Sequence, residues 1–274
     1  MKPSIFLFFL SMLLTHFTVL AESKVSFATI ENVQLEYIDI GTGDINIIIE
    51  SGVGMGVNYW KPLLTKLKML KHRVIIYSRA GNGSSTATID VSVQKSNKRL
   101  HALLKLLNID KNIILVGHSF GGIHVREYAT SYREQVIGLV LLDPSHEQFS
   151  KKLIQLDKAW AERDDKKLNS LLAQSQEWKV LQKIYQNEQL KDNGSITKIP
   201  TVIVTSSKLG ESDWWIGHSE KGKEIWRELH SSLIRYNPNS IHIVSNSTGH
   251  NIPIDSPSLV NIAIKQTVDL VNGL

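Results

Sequence analysis

Cysteine is absent from all 274 residues. No disulfide can brace this fold, no thiol can act as a nucleophile, and no zinc ion can be held by sulfur. A lipid-modified N-terminal cysteine is excluded as well. Stability must therefore rest on a hydrophobic core, which a chain of this length can bury. Long apolar runs are nearly absent too. The one present, residues 4–20, follows Lys2 and is about 17 residues long, short of the roughly 20 that span a bilayer. Val19-Leu20-Ala21 places short side chains where a signal peptidase would cut. Residues 1–21 are accordingly expected to be a signal peptide that exports the chain to the periplasm or beyond, with an uncleaved membrane anchor as the alternative. Once the signal is removed, no stable membrane insertion is expected. Missing also is any basic stripe interleaved with aromatics. The formal charge is +5, but the lysines are scattered (Lys61, Lys66, Lys68 and Lys71, then Lys151, Lys152, Lys166 and Lys167), which argues against nucleic acid as a partner. No Pro- or Gly-rich linker, low-complexity run or solenoid-length repeat divides the chain, so residues 22–274 read as one domain.

What is present is an alternation of apolar runs and helical periodicities. Strands are expected over residues 25–30 and 33–40, joined by a tight turn at Asn32, and then over 45–49, 72–77, 112–116, 136–142, 200–206 and 240–245. Helices are expected over 59–70, with Trp60, Leu63, Leu64, Leu67 and Leu70 on one stripe, and over 91–107, 221–236 and 258–271. Residues 146–196 carry helical spacing and no strand pattern, which suggests a helical lid inserted between two core strands. This pattern predicts an α/β fold: a mainly parallel eight-stranded sheet with helices on both faces. Ligands in such sheets bind beyond the carboxyl ends of the strands, where Ser51-Gly52, Ser78-Arg79, Ser119, Asp143 and the loop after Ser206 should converge.

The stretch with the most chemical content is Gly117-His118-Ser119-Phe120-Gly121-Gly122, between the apolar run 112–116 and a helical run from Ile123. Strand, sharp Gly-bounded turn and helix form the context of a nucleophile elbow. Ser119 would sit at the tip in a strained conformation, Gly117 and Gly121 would let strand and helix approach closely, and the N–H groups opening the helix would face an oxyanion. His118 is expected to point away along the turn, and His124 lies on the following helix. The glycine-rich segment Glu50-Ser51-Gly52-Val53-Gly54-Met55-Gly56 lacks the Gly-Lys-Ser/Thr ending of a phosphate-binding loop.

These segments, together with Arg79-Ala80-Gly81-Asn82-Gly83-Ser84, residues 139–146 and Ser247-Thr248-Gly249-His250, resemble the α/β-hydrolase fold superfamily over nearly all of the chain after residue 21 except the lid. The resemblance implies Ser119 as nucleophile and His250 as general base. It implies an oxyanion hole from the backbone N–H groups of Phe120 and Val53. Many relatives carry His-Gly where this chain has Ser51-Gly52, a difference that leaves backbone donors intact. Met55 would line the pocket or pack in the core. The acid that orients His250 is either Asp143, which is favoured, or Asp213, which follows the next strand; Asp255 is expected to cap the last helix or pair locally. Ser78 stands where relatives often carry Asp, so the partners of Arg79 and Arg126 are open. The activity implied is hydrolysis of an ester, lactone or similar small acyl compound, without cofactor or metal. The alternatives are a weakly catalytic ligand-binding protein and cofactor-free peroxidase- or oxygenase-type chemistry with the same residues.

Overall fold

The structure is a computed structural model that describes residues 24–188, 190, 195–210 and 214–273. The signal-peptide reading of residues 1–21 and the alternative acid Asp213 fall outside them. Eight strands form one sheet: β1 (Val25–Ile30), β2 (Val33–Ile40), β3 (Asn46–Glu50), β4 (Arg73–Tyr77), β5 (Ile113–His118), β6 (Val136–Leu142), β7 (Thr201–Ser206) and β8 (Ser240–Ser245). Their order is β1-β2-β4-β3-β5-β6-β7-β8. β2 is antiparallel to both β1 and β4, and every later pairing is parallel.

The isoleucine run of β3 shows how the sequence builds both faces at once. Ile48 packs into the cluster on one side of the sheet, and Ile47 and Ile49 into the cluster on the other. Each is fully buried, and burying a side chain of this size stabilises by about 2 kcal/mol. A continuous apolar strand is what a parallel sheet covered on both faces requires. One face is covered by α3 (Val93–Leu106), through Leu100, Leu103 and Leu104, and by α4 (Phe120–Ser131), through Val125 and Tyr128. The other is covered by Trp60, Leu63 and Leu67 and by Val260, Ala263 and Ile264 of α10 (Pro257–Asn272).

The expected helix over 59–70 is interrupted. It begins as α1 (Val57–Trp60), passes through a 3₁₀ turn at Lys61–Leu63 and resumes as α2 (Leu64–Lys68). Pro62 has no N–H to give to the carbonyl a turn back, so the regular ladder breaks there. The apolar stripe survives the break and still faces the sheet.

Between β6 and β7 the chain forms α5 (Phe149–Leu156), α6 (Lys158–Leu171) and α7 (Gln176–Asn187). Their starts are written locally: the Asp157 side chain accepts from the Trp160 N–H, and the Ser175 hydroxyl accepts from the Trp178 N–H. α5 and α6 pack with Trp226 and Leu229 of α8 (Glu220–Ile234), and α7 packs on Phe120 and Ile123 of α4. The short α9 (Ile252–Asp255) precedes α10. Among the described residues no helix is long and apolar enough to cross a membrane. The chain passes from β3 to β4 on one side and on to β5 on the other, so the crossing point lies between β3 and β5. There the loop 50–56 and the turn at Ser119 meet.

Candidate active site

Ser119 sits between β5 and α4 with φ 55° and ψ −121°. A non-glycine residue there carries strain of about 1–3 kcal/mol, and the turn around it is held from several sides. The Ser119 N–H donates to Leu142 O, and Ser119 O accepts from the N–H groups of Gly122 and Ser145. The close approach that makes the turn possible leaves no room at Gly121, where a Cβ would lie 2.4 Å from Glu50 O.

His250, in the loop after β8, places Nε2 2.9 Å from Ser119 Oγ and Nδ1 2.7 Å from Asp143 Oδ2. Asp143 follows β6 directly, and its side chain is buried. Beyond His250 it receives the Ser206 N–H at 2.7 Å, the Ser206 hydroxyl at 2.8 Å and the Trp226 Nε1–H at 2.7 Å. Lys223 Nζ donates to Ser206 Oγ at 2.9 Å. Because an ammonium can only donate, the Ser206 proton is directed toward Asp143. Burial would raise the Asp143 carboxyl, but the hydrogen bond and charge of His250, with His230 and Lys223 nearby, hold it well below the usual carboxylate range. An ionised carboxylate only accepts, so Nδ1 of His250 donates to it; in the neutral imidazole that leaves Nε2 as the acceptor for the Ser119 hydroxyl.

His118 does not point away along the turn. Its Nε2–H donates to the backbone carbonyl of His250 at 2.9 Å, and its ring stacks on Tyr59 with centroids 5.4 Å apart. The Tyr59 hydroxyl in turn donates to Asn251 Oδ1. The residue beside the nucleophile thus props up the loop that carries the imidazole. No sequence signal announced this, because the direction of the side chain depends on where the loop after β8 lands. Burial pushes His118 down to about 3 and does the same to His230, which donates from Nε2 to Pro144 O.

Those two histidines make a stability prediction. Their folded pKa lies below the unfolded value of about 6.5, so the unfolded chain binds more protons between the two values. Stability is complete above about pH 6.5 and falls as pH drops from there toward 3. At pH 5, each of His118 and His230 should cost about 2 kcal/mol relative to pH 8. Urea unfolding midpoints at the two pH values measure this. Equal midpoints would exclude it.

Of the two residues whose N–H groups the resemblance implies as oxyanion donors, Phe120 directly follows Ser119 and Val53 lines the same cavity as Ser119. Phe120 opens α4, and its N–H has no partner within the helix. Residues 52–55 form a turn closed by Met55 N–H to Gly52 O at 3.2 Å, with Gly54 at φ 69°. A turn closed in this way does not use the N–H of its second residue, Val53. Met55 lines the cavity. Asp255 pairs locally and accepts from the Gly249 N–H at 2.7 Å. The question left by Ser78 is resolved by a carboxylate from β2. Ser78 Oγ donates to Glu36 Oε2 at 2.7 Å and accepts from the Val57 N–H. Arg126 pairs with Glu147 through two hydrogen bonds, and Arg79 with Glu50 and Glu177.

Above Ser119 opens a cavity of about 340 Å³. Leu153, Leu168, Leu172, Trp178, Leu181 and Tyr185 from α5 to α7 line it, together with Trp214, Trp215 and Trp226. The wall is largely apolar and aromatic, suited to a hydrophobic group attached to a carbonyl at Ser119. Among the described residues no group of three or more His, Asp or Glu side chains is placed to hold a metal ion.

The family model for the alpha/beta hydrolase fold matches residues 45–215. The chain belongs to that family. The matched segment runs from β3 through the Ser119 elbow and Asp143 to the end of the inserted helices and β7. Among relatives of this hydrolase-fold protein, the Bacillus subtilis (strain 168) protein YqjL, itself uncharacterized, is 25% identical over 239 residues, covering 82% of this chain and 83% of its own. Among solved structures, a carboxylesterase of the ammonia-oxidizing thaumarchaeon Nitrososphaera gargenis superposes with a TM-score of 0.68 at 17% identity, over 90% of this chain and 99% of that one. A bromoperoxidase from Bacillus anthracis does so at 0.63 and 19%, over 90% and 100%. Identities this low speak for the hydrolase fold alone, so the chemistry has to be argued from the site.

Proposed function

We propose that this hydrolase-fold protein is a serine hydrolase that cleaves an ester or similar acyl compound through an acyl-enzyme on Ser119. The observation that carries the reading is the hydrogen-bonded line from Ser119 Oγ through both nitrogens of His250 to Asp143, a buried carboxylate. In the first half-reaction the Ser119 oxygen attacks the carbonyl carbon while His250 Nε2 takes its proton. Asp143 stabilises the imidazolium without becoming protonated. The carbonyl oxygen becomes an oxyanion facing the N–H groups of Phe120 and Val53. Collapse expels the alcohol, which takes the proton back from Nε2. In the second half-reaction water, deprotonated by the same nitrogen, releases the acid and restores Ser119. The apolar cavity supports a substrate whose acyl group is hydrophobic, and the carboxylesterase among the structural neighbours is consistent with that class.

The test is covalent. A fluorophosphonate should label the protein once, at Ser119, and a short p-nitrophenyl ester should be turned over repeatedly. A folded protein that resists labelling would sink the proposal. Stoichiometric release of p-nitrophenol without further turnover would favour a ligand-binding protein that keeps the nucleophile and lacks deacylation.

A further inference from the structure

Arg79 takes no part in the steps above, yet it is buried and makes five hydrogen bonds. Its Nε donates to Glu177 Oε1 at 2.6 Å and one terminal nitrogen to Glu177 Oε2 at 3.0 Å. The other donates to Glu50 Oε2 at 2.7 Å and to Ser51 O at 2.8 Å. The nitrogen that reaches Glu177 Oε2 also donates to Gly52 O at 2.8 Å. Glu177 Oε2 in turn accepts from the Gly54 N–H at 2.9 Å.

These contacts bracket Val53. The Gly52 carbonyl and the Val53 N–H belong to one planar trans peptide, so a guanidinium that holds the carbonyl fixes the direction of the N–H on the opposite side. The next peptide, which ends in the Gly54 N–H, is held by Glu177. Both peptide planes that flank Val53 are therefore pinned by one ion pair. Stability is a poor reason for such a cluster, since apolar groups of similar volume often serve a fold as well as buried charges do. Its geometric consequence is the placement of one N–H.

Glu177 also belongs to α7, the helix whose Trp178, Leu181 and Tyr185 line the cavity. The helix that meets the acyl group thus grips the loop that meets the oxyanion. Burial would raise the Glu177 carboxyl, but the Arg79 charge and hydrogen bonds bring it below its ordinary value, so it is ionised.

We infer that Glu177 is a positioning residue: through Arg79 and the Gly54 N–H it aims the Val53 N–H at the oxyanion, and it links that aim to the seating of α7 on the acyl group. The inference rests on the reading of Ser119 as the nucleophile. Glu177→Gln keeps the shape but replaces one acceptor oxygen with a donor facing Arg79 or the Gly54 N–H. It should lower kcat about 10- to 100-fold with KM within about 2-fold, because the N–H acts on charge present only in the transition state. Affinity for a trifluoromethyl ketone, which forms a tetrahedral adduct on serine, should fall by the same factor as kcat. Glu177→Asp, which keeps the carboxylate, should recover part of the loss. Hydrogen exchange of the segment 51–56 should speed up in Glu177→Gln while β5 and α4 remain protected. Unchanged kcat, unchanged ketone affinity or unchanged exchange of 51–56 in folded Glu177→Gln would each overturn the inference. If the unsubstituted protein forms no ketone adduct and takes no fluorophosphonate, the failure lies with the nucleophile. The exchange of 51–56 still decides whether Glu177 holds the loop.

Discussion

Ser119→Ala is expected to reduce ester turnover by about 10,000-fold or more and to abolish fluorophosphonate labelling. The substitution removes one oxygen and little else. Alanine keeps the Cβ that makes φ 55° costly, so the strain of the elbow is unchanged. The lost hydrogen bond is the one to His250 Nε2, whose ring is about one third exposed, so water can replace it. Stability should therefore shift by no more than about 1 kcal/mol, and the thermal midpoint serves as the control. The cavity above the site keeps its lining, so binding of a hydrophobic carboxylic acid product should persist. A few per cent of residual turnover in purified Ser119→Ala would show that the attacking group is another one.

Asp143→Asn should cost nearly as much, for a different reason. The carboxylate accepts from four donors, two on each oxygen: the Ser206 N–H and Trp226 Nε1–H on Oδ1, and the Ser206 hydroxyl and His250 Nδ1–H on Oδ2. An amide has one oxygen and must turn its NH₂ toward one of these pairs. Facing His250, it forces the ring proton from Nδ1 to Nε2, and Ser119 loses its base; this tautomer error costs about 10,000-fold in the serine protease triad. Facing Ser206 and Trp226, it leaves buried donors opposed, at about 1–3 kcal/mol of stability. Turnover is expected to fall about 1,000- to 10,000-fold, with a lower urea midpoint wherever the second orientation is populated. Asp213→Asn should stay within about 2-fold of the unsubstituted protein. The reverse ranking of the two variants would assign the acid to Asp213.

The competition between these two aspartates shows where reading from sequence stopped. Asp143 and Asp213 both follow a strand and both lie between Ser119 and His250 in chain order, and the one-dimensional pattern ranks them only weakly. What the structure adds for Asp143 is its setting. β7 lies beside β6, so Ser206 offers an N–H and a hydroxyl across the sheet edge, and α8 brings the Trp226 indole from the far side. Those donors are 63 and 83 residues away. No local signal in a Ser ending a strand or a Trp on a helix identifies them. The same holds for Glu177, which reads as one more charge near the start of a polar helix until α7 folds back over Arg79, and for His118.

The strands, by contrast, were legible because their signal is local. Apolar runs of β-branched residues bounded by turns specify strands buried on both faces. Gly-x-Ser-x-Gly between such a strand and a helix specifies a turn that few other sequences can make. Local chemistry also defeated one expectation, since Pro62 inside an otherwise well-formed apolar stripe broke the helix over 59–70.

Taken alone, the sequence determined the eight strands, the elbow at Ser119, the loop around Val53 and the candidacy of His250, because each depends on side chains and backbone within a few residues. Only the tertiary structure places Asp143 against His250 and brings Arg79 and Glu177 to the peptides that flank Val53. Those outcomes depend on buried hydrogen bonds between segments far apart in the chain. The free energy of such bonds comes from the shared removal of the groups from water, which no segment can accomplish by itself.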